Sequence, residues 1–450
     1  MTPSASQTRA IEMIERAIER REPGFIFVTG KAGTGKSTVL RAIRAKRKLI
    51  VCAPTGLAAV NVRGETLHRT FGLRVGPQSR SKTRNLGDDA ADLLDAADAV
   101  VIDEISMVRA DMLDAANWTL QKTLGRPTPF GGKLIVCFGD MCQLEPVVSQ
   151  EESDIITERY SSPFWFDAKV FSHSADLFGE EQERLDLVTA ELTDVFRQSD
   201  EEFINALNLI RLGDPAGLNY INSRAGARPP VTDPPIALTL TNKEAAIING
   251  ERLGRLTTER KTYDATISGD FGEQHPTENE LVLAIGAQVM LIRNGQSTSG
   301  DRLTNGEIGE VVGFEQEGPR VLFRSGVETV VGRALWERIT YAKDDKDEIV
   351  EEPVGKFEQI PLRLAWAITV HKSQGQTLDS ALLEMEMQAR THGQLYVALS
   401  RVRSMEGLYL RRRLTPKDLS FNRRVREFLS LQSAPAEPER TFDFNFAGAF

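Results

Sequence analysis

Cysteine is scarce and long apolar runs are missing. Only three cysteines occur in 450 residues, and no stretch approaches the roughly 18 apolar residues needed to span a bilayer. Cys52, Cys137 and Cys142 form no C-x-x-C pair, which argues against a disulfide framework or a zinc site. Two of them sit in the apolar runs LIVCAP and LIVCFG, so reduced core thiols are expected. The opening MTPSASQTRA has neither the charged start nor the apolar stretch of a targeting segment, which points to a cytoplasmic protein without a membrane partner. An excess of positive charge is lacking as well. Lys and Arg number 55 against 64 Asp and Glu, for a net charge of −9. A chain coated with nucleic acid is thereby disfavoured, whereas a narrow groove with local positive charge is not.

What is present begins with VTGKAGTGKSTVL at residues 28–40. Gly30, Gly35, Lys36 and Ser37 match G-x-x-x-x-G-K-S between an apolar β-rich run and a helical one, the context a phosphate-binding loop requires. Its backbone N–H groups and the helix N-terminus favour phosphate, Lys36 neutralises the β/γ oxygens and the Ser37 hydroxyl is a magnesium ligand. Downstream, AVVIDEISM reads as a buried strand ending in Asp103, expected to serve the metal, and Glu104, expected to orient or deprotonate water. A third strand, KLIVCFGDMCQLEPV, ends in Asp140 and Gln143, whose amide suits a γ-phosphate contact. Polar clusters after successive strands are what an open α/β nucleotide-binding sheet displays. Arg197, near the start of an expected amphipathic helix ELTDVFRQSDEEFINALNLIRLG, and Arg401, in QLYVALSRVRS, suit arginine fingers from a second domain.

Between the loop and the acids lies APTGLAAVNVRGETLHRTF. Thr55, Asn61, Thr66 and His68 are short donors suited to a nucleic-acid backbone, and Phe71 is expected to stack on a base. A second polar run, ITVHKSQGQTLD, follows LRLAWA.

The ordered set GKAGTGKST, APTGLAAVNVRGETLHRTF, VIDEISM, PFGGKLIVCFGDMCQLEPV, LTDVFRQSDEEF, LTNGEIGEVV, AWAITVHKSQGQTLD and YVALSRV resembles the petite-integration-frequency helicases of superfamily 1, subgroup B, from about Ser6 to Arg413. The resemblance implies an ATP- and Mg²⁺-dependent helicase moving 5′ to 3′ on single-stranded DNA and opening tailed or forked duplexes. By matching position, Gln7 recognises adenine, and Gly33, Thr34, Gly35, Lys36, Ser37 and Thr38 bind phosphates. Lys36, Asp103, Glu104, Gln143, Arg197 and Arg401 form the catalytic set, with Ser37 and Asp103 on the metal. Pro54, Thr55, Asn61, Thr66, His68, Phe71, Asn242, His371 and Lys372 line the DNA path, and Gln374 and Gly375 couple that path to the nucleotide. One departure is visible in QLEPV, where Glu145 replaces the first of two prolines common in the family.

The expected class is α/β with two RecA-like P-loop domains. The first spans 1–190, with a possible wedge at 72–97. The second comprises 191–250 and 361–425, interrupted by an SH3-like β-barrel at 251–360. Residues 426–450 are expected as a partly disordered tail, its last part read as a linker, with docking of its phenylalanines on a protein partner as the alternative. A monomer working at the nucleoid is expected. Two alternatives remain at this level: a nucleotide-gated clamp that does not unwind, and a RecD-like subunit of a larger complex.

Overall fold

The computed structural model describes residues 3–171, 185–198, 200–230, 234–273, 275–296, 300, 302–343, 349–385 and 391–432. Six strands form the first sheet: β1 (Gly24–Gly30), β2 (Leu49–Ala53), β3 (Glu65–Thr66), β4 (Ala99–Ile102), β5 (Leu134–Gly139) and β6 (Leu187–Leu192). They run parallel in the order β3-β2-β4-β5-β1-β6. Near-continuous apolar strands such as LIVCA demand cover on both faces. On one face, Ala10, Ile14 and Ile18 of α1 (Ala5–Glu19) and Val39, Leu40 and Ile43 of α2 (Lys36–Arg44) pack on Ile26, Val28 and Val51. The short helices α3 (Gly56–Asn61), α4 (Leu67–Thr70) and α5 (Asp88–Ala96) follow. On the other face lies α6 (Ala110–Leu124), with Leu113, Ala116 and Leu120 against Phe25, Phe27 and Ile135. All three cysteines are free and buried, as their apolar settings predict.

The expected wedge contains α5 and a loop pinned to α6. Gln78 N donates to Asp111 Oδ2 at 2.7 Å, and Lys122 Nζ donates to the carbonyls of Arg80 (3.0 Å) and Thr83 (2.8 Å). The loop leaves Val75 97% exposed at its outer end.

The helix expected to begin at Glu191 does not. Glu191 and Leu192 instead finish β6, paired with Thr29 and Gly30, because the free edge of β1 offers backbone partners there. The first sheet thus crosses residue 190 and ends at Leu192. After α7 (Gln150–Arg159), the helix that does form is α8 (Glu201–Arg211), capped by Asp200, whose side chain accepts from Phe203 N at 3.0 Å. Arg197 therefore lies in the loop before the helix.

Next come α9 (Gly217–Ile221), β7 (Ile236–Thr239) and α10 (Asn242–Arg255). An antiparallel insertion follows. It comprises β8 (Arg260–Asp264), β9 (Thr266–Gly269), β10 (Glu280–Ala284), β11 (Gln288–Leu291), β12 (Gly295–Gln296), β13 (Arg302–Leu303), β14 (Ile308–Phe314), β15 (Pro319–Phe323), β16 (Glu328–Val330), β17 (Ala334–Lys343), β18 (Ile349–Gln359) and β19 (Leu362–Leu364). Its five-stranded sheet, β16-β15-β14-β11-β19, extends past residue 360 to take in β19. Beyond the insertion, β20 (Ala367–Thr369), β21 (Ala381–Leu383) and β22 (Leu408–Leu410) join β7 in a second parallel sheet, β20-β7-β21-β22. Two parallel sheets with helices bear out the α/β class.

The β17–β18 hairpin leans on the first sheet. Ile339 and Tyr341 enter the core around Phe27 and Cys52. The Tyr341 hydroxyl accepts from Val51 N at 3.1 Å, and burial pushes its pKa up to about 12. Tyr341→Phe leaves the buried Val51 N–H unpaired, and a loss of about 1–3 kcal/mol is expected in urea unfolding. Unchanged stability would mean that the hydroxyl is dispensable.

The end of the described chain differs from the expected tail. Residues 423–432 form α12 (Arg423–Gln432), following α11 (Gln394–Leu399). Phe428 stacks on Phe166 at 4.2 Å, and Arg424 donates to Asp167 from Nε (2.9 Å) and Nη2 (2.6 Å). An amphipathic helix with Val425 and Phe428 on one face finds its apolar partner in the first core, so residues 426–432 are ordered. The proposed aromatic docking segment, 433–450, lies outside the described residues.

Candidate nucleotide and nucleic-acid site

In the first sheet β5 lies between β4 and β1. The phosphate loop after β1, Asp140 and Gln143 after β5, and Asp103 and Glu104 after β4 therefore gather at one carboxyl edge. Gly35 has φ +83°, and a Cβ there would come within 2.3 Å of Gln7 Nε2. That amide is already committed, donating to Thr34 O at 2.9 Å while Gln7 Oε1 accepts from Ser4 N at 3.0 Å. Gln7 thus braces the phosphate loop from α1. Lys36 Nζ donates to Gly30 O (2.7 Å) and Lys31 O (3.2 Å), and burial pushes its pKa down against the pull of Asp140 and Glu104.

Burial raises Asp103 to about 7, with Glu104 adding to the rise. Glu104 is raised too, by burial, although Lys36 and Arg401 oppose it, and its backbone is left-handed at φ 52°. Two desolvated carboxylates, with the exposed Ser37 hydroxyl at the α2 N-terminus of the same sheet edge, make an oxygen donor set. Such donors fit Mg²⁺ carried with phosphate oxygens.

The second half closes over this edge. Gln374 Nε2 donates to Glu104 Oε2 (2.9 Å) and Gln143 Oε1 (3.3 Å). Gly375 beside it is exposed, with φ +79°. Tyr396 OH accepts from Ala32 N at 3.1 Å. Phe196 N donates to Gly33 O at 3.0 Å, and a Cβ on Gly33 would lie 2.6 Å from Arg197 Cβ. Arg197 Nη1 donates to Ser400 O at 3.1 Å. Arg401, 1% exposed, donates from Nε to Val397 O at 2.9 Å and from Nη2 to Ser400 Oγ at 2.8 Å. Burial, then Arg197, push the Arg401 pKa down to about 9.

This arrangement has relatives. The family model for PIF1-like helicase matches residues 3–219. The ATP-dependent DNA helicase PIF1 of Rattus norvegicus is 35% identical over 403 residues, which cover 85% of this chain and 58% of that protein. Unliganded Pif1 from Bacteroides sp superposes with a TM-score of 0.83 at 33% identity, over 97% of this chain and 98% of that one. The chain belongs to the PIF1-like helicase family. Bacteroides Pif1 bound to ssDNA gives a lower TM-score of 0.66 at 33% identity, over 96% of this chain and 97% of that one.

In this PIF1-like chain the residues expected on the DNA path fall at two other strand ends. Ala53 of β2 pairs with Thr66 of β3, so Pro54, Thr55 and Thr66 leave neighbouring strands together. Thr55 and Thr66 spend their hydroxyls as helix caps, accepting from Ala58 N (3.2 Å) and Arg69 N (3.3 Å). Asn61 is exposed at the end of α3, and His68 is half-buried, with its pKa lowered chiefly by burial. Thr369 of β20 pairs with Thr239 of β7, which brings the exposed His371 and Lys372 beside the exposed Asn242. Phe71 is the correction. It is 1% exposed and packed in the first core with Leu67 and Ile102, so its ring offers no stacking surface.

Sequence reasoning gave no partner in the PIF1-like cleft to Arg211, Glu145, His392 or Gly393. Arg211, at the end of α8, donates from Nη2 to Asp140 Oδ1 at 2.8 Å, with Asp140 wholly buried. An arginine ending an otherwise apolar helical stripe was its one signal. Glu145, standing where the family has proline, accepts from His392 N at 3.2 Å. His392 in turn accepts at Nδ1 from Asn422 N (3.0 Å) and donates from Nε2 to Met141 O (2.7 Å), a neutral ring kept so by burial. Gly393, with φ +74°, lies so close that a Cβ would meet Gln143 O at 2.2 Å.

Proposed function

We propose that this chain is an ATP-dependent DNA helicase that moves 5′ to 3′ along single-stranded DNA and unwinds tailed or forked duplexes. The observation that carries the reading is the convergence, at one strand edge, of Lys36, Asp103, Glu104 and Gln143 from the first sheet with Gln374, Arg197 and Arg401 from the second half. The chain spans only 58% of the length of its rat relative, so the activity is put forward for the chain itself.

In this mechanism the phosphate loop, with Gln7 behind it, seats the triphosphate, and Ser37 and Asp103 would hold Mg²⁺. The metal would supply neutralisation of phosphate charge there. Glu104 orients and deprotonates the attacking water. Gln143 reports the γ-phosphate, and Arg197 and Arg401 neutralise charge on the transferring phosphoryl group. His371, Lys372 and Asn242 grip one part of the strand, while Thr55, Asn61, Thr66 and His68 grip another. Closing and opening of the cleft then shifts the two grips alternately. The protein acts as a monomer, and any partner of residues 433–450 is additional.

The test is strand displacement on two duplexes that differ only in carrying a 5′ or a 3′ single-stranded tail. Displacement of the 5′-tailed duplex alone, abolished by Lys36→Ala, is expected. ATPase stimulated by single strands without displacement of either duplex would make the chain a clamp.

A further inference from the structure

The turn after β20 faces two ways. His371 and Lys372 point to solvent, whereas two residues on, the Gln374 amide reaches the hydrolytic carboxylate. The turn is internally braced. Lys372 N donates to Thr369 Oγ1 (3.2 Å), Ser373 N to Thr369 O (3.0 Å), Gln374 N to His371 O (3.2 Å) and Ser373 Oγ to Val370 O (2.7 Å). A segment bonded this way moves as a unit, so displacing its outer face displaces its inner one. Arg401 Nη1 also leans on it, at 3.4 Å from Ser373 O.

On the inner face one amide nitrogen occupies both groups that hydrolysis needs. Gln374 Nε2 donates to Glu104 Oε2 and to Gln143 Oε1. Gln143 is engaged at both ends of its amide, since its own Nε2 lies 3.4 Å from Asp140 Oδ2. A carboxylate whose oxygen accepts from a protein amide has that lone pair withdrawn from water.

We infer that Gln374 is a brake on hydrolysis: without DNA its amide occupies Glu104 and Gln143, and strand contact at His371 and Lys372 draws the turn away and frees both. The inference rests on the helicase reading above, which makes Glu104 the water-orienting group and the turn part of the DNA path. Gln374 acts here through Glu104 and is a positioning residue.

Two measurements test it. Gln374→Ala is expected to raise the DNA-free ATPase kcat about tenfold, the worth of one hydrogen bond to a charged group, with the change carried by kcat more than by KM for ATP and with correspondingly less stimulation by DNA. Strand binding that draws the turn away has to break the amide bonds to Glu104 and Gln143, so nucleotide-free Gln374→Ala protein, which lacks them, should bind oligothymidine more tightly, read by fluorescence anisotropy. A side chain that merely held the turn together would weaken that binding when removed. Gln374→Asn, whose shorter amide falls away from Glu104, should move both readouts in the same direction. A DNA-free rate at or below native, or unchanged oligothymidine affinity, overturns the brake and makes Gln374 an ordinary contributor to hydrolysis. Native protein whose ATPase ignores DNA overturns the helicase reading together with the brake.

Discussion

Arg401→Ala is expected to lower kcat for DNA-stimulated ATP hydrolysis by about three orders of magnitude, while the affinity for a non-hydrolysable ATP analogue changes far less. The argument is electrostatic. The Arg401 guanidinium is almost wholly buried, and backbone carbonyls and a serine hydroxyl hold it, not a carboxylate. Arg197 lies near enough to depress its pKa further, and burial lowers Arg197 as well. Two desolvated cations side by side stabilise an incoming anion strongly, and most strongly where charge develops at the transferring phosphoryl group. Arg401→Lys keeps a charge but loses the planar fork, so it should recover little. A kcat within a few-fold of native in Arg401→Ala, with thermal stability intact, would remove Arg401 from the chemistry.

Arg211→Ala carries the largest expected stability effect, about 3–5 kcal/mol in denaturant unfolding, because it strands the wholly buried Asp140 carboxylate. Burial alone pushes the Asp140 pKa up, but Arg211 and Lys36 outweigh it and hold the carboxyl below its ordinary value. The sign follows from linkage: a depressed carboxylate contributes stability above its unfolded pKa, near 3.9, and that contribution is lost as pH falls through the lower folded value. Native protein should therefore keep this contribution into acid, and Arg211→Ala should begin acid unfolding at a higher pH. Arg211→Met combined with Asp140→Leu removes both charges and should recover part of the loss. Equal acid midpoints for native and Arg211→Ala protein would refute the pairing as a stabilising element.

How much of this was legible in sequence depends on range along the chain. The phosphate loop, the Asp103–Glu104 pair and Gln143 each sit at the end of a contiguous apolar strand, so local pattern carried them. Phe71 was misread because an aromatic in a polar run does not reveal which face it presents, and here the core took it. The strand through Leu192 was read as helix because apolar spacing continues from it into α8, and only the free edge of β1 decides between the two. Arg211, Glu145 and Tyr396 matter through partners far away in sequence: Asp140, His392 and Ala32. Their importance is a property of the closed cleft, which no local pattern encodes.

The return of α12 to the first core has a mechanical consequence. The polypeptide crosses between the two halves after Leu192 and again before Arg423, so two covalent straps join them beside the packed contact of the β17–β18 hairpin. A body on one strap can swivel; on two it swings about the line joining them. In the proposed cycle, closure on nucleotide would then be delivered as a directed stroke, and cutting the Phe428 anchor would turn a hinged gate into a loose pendant.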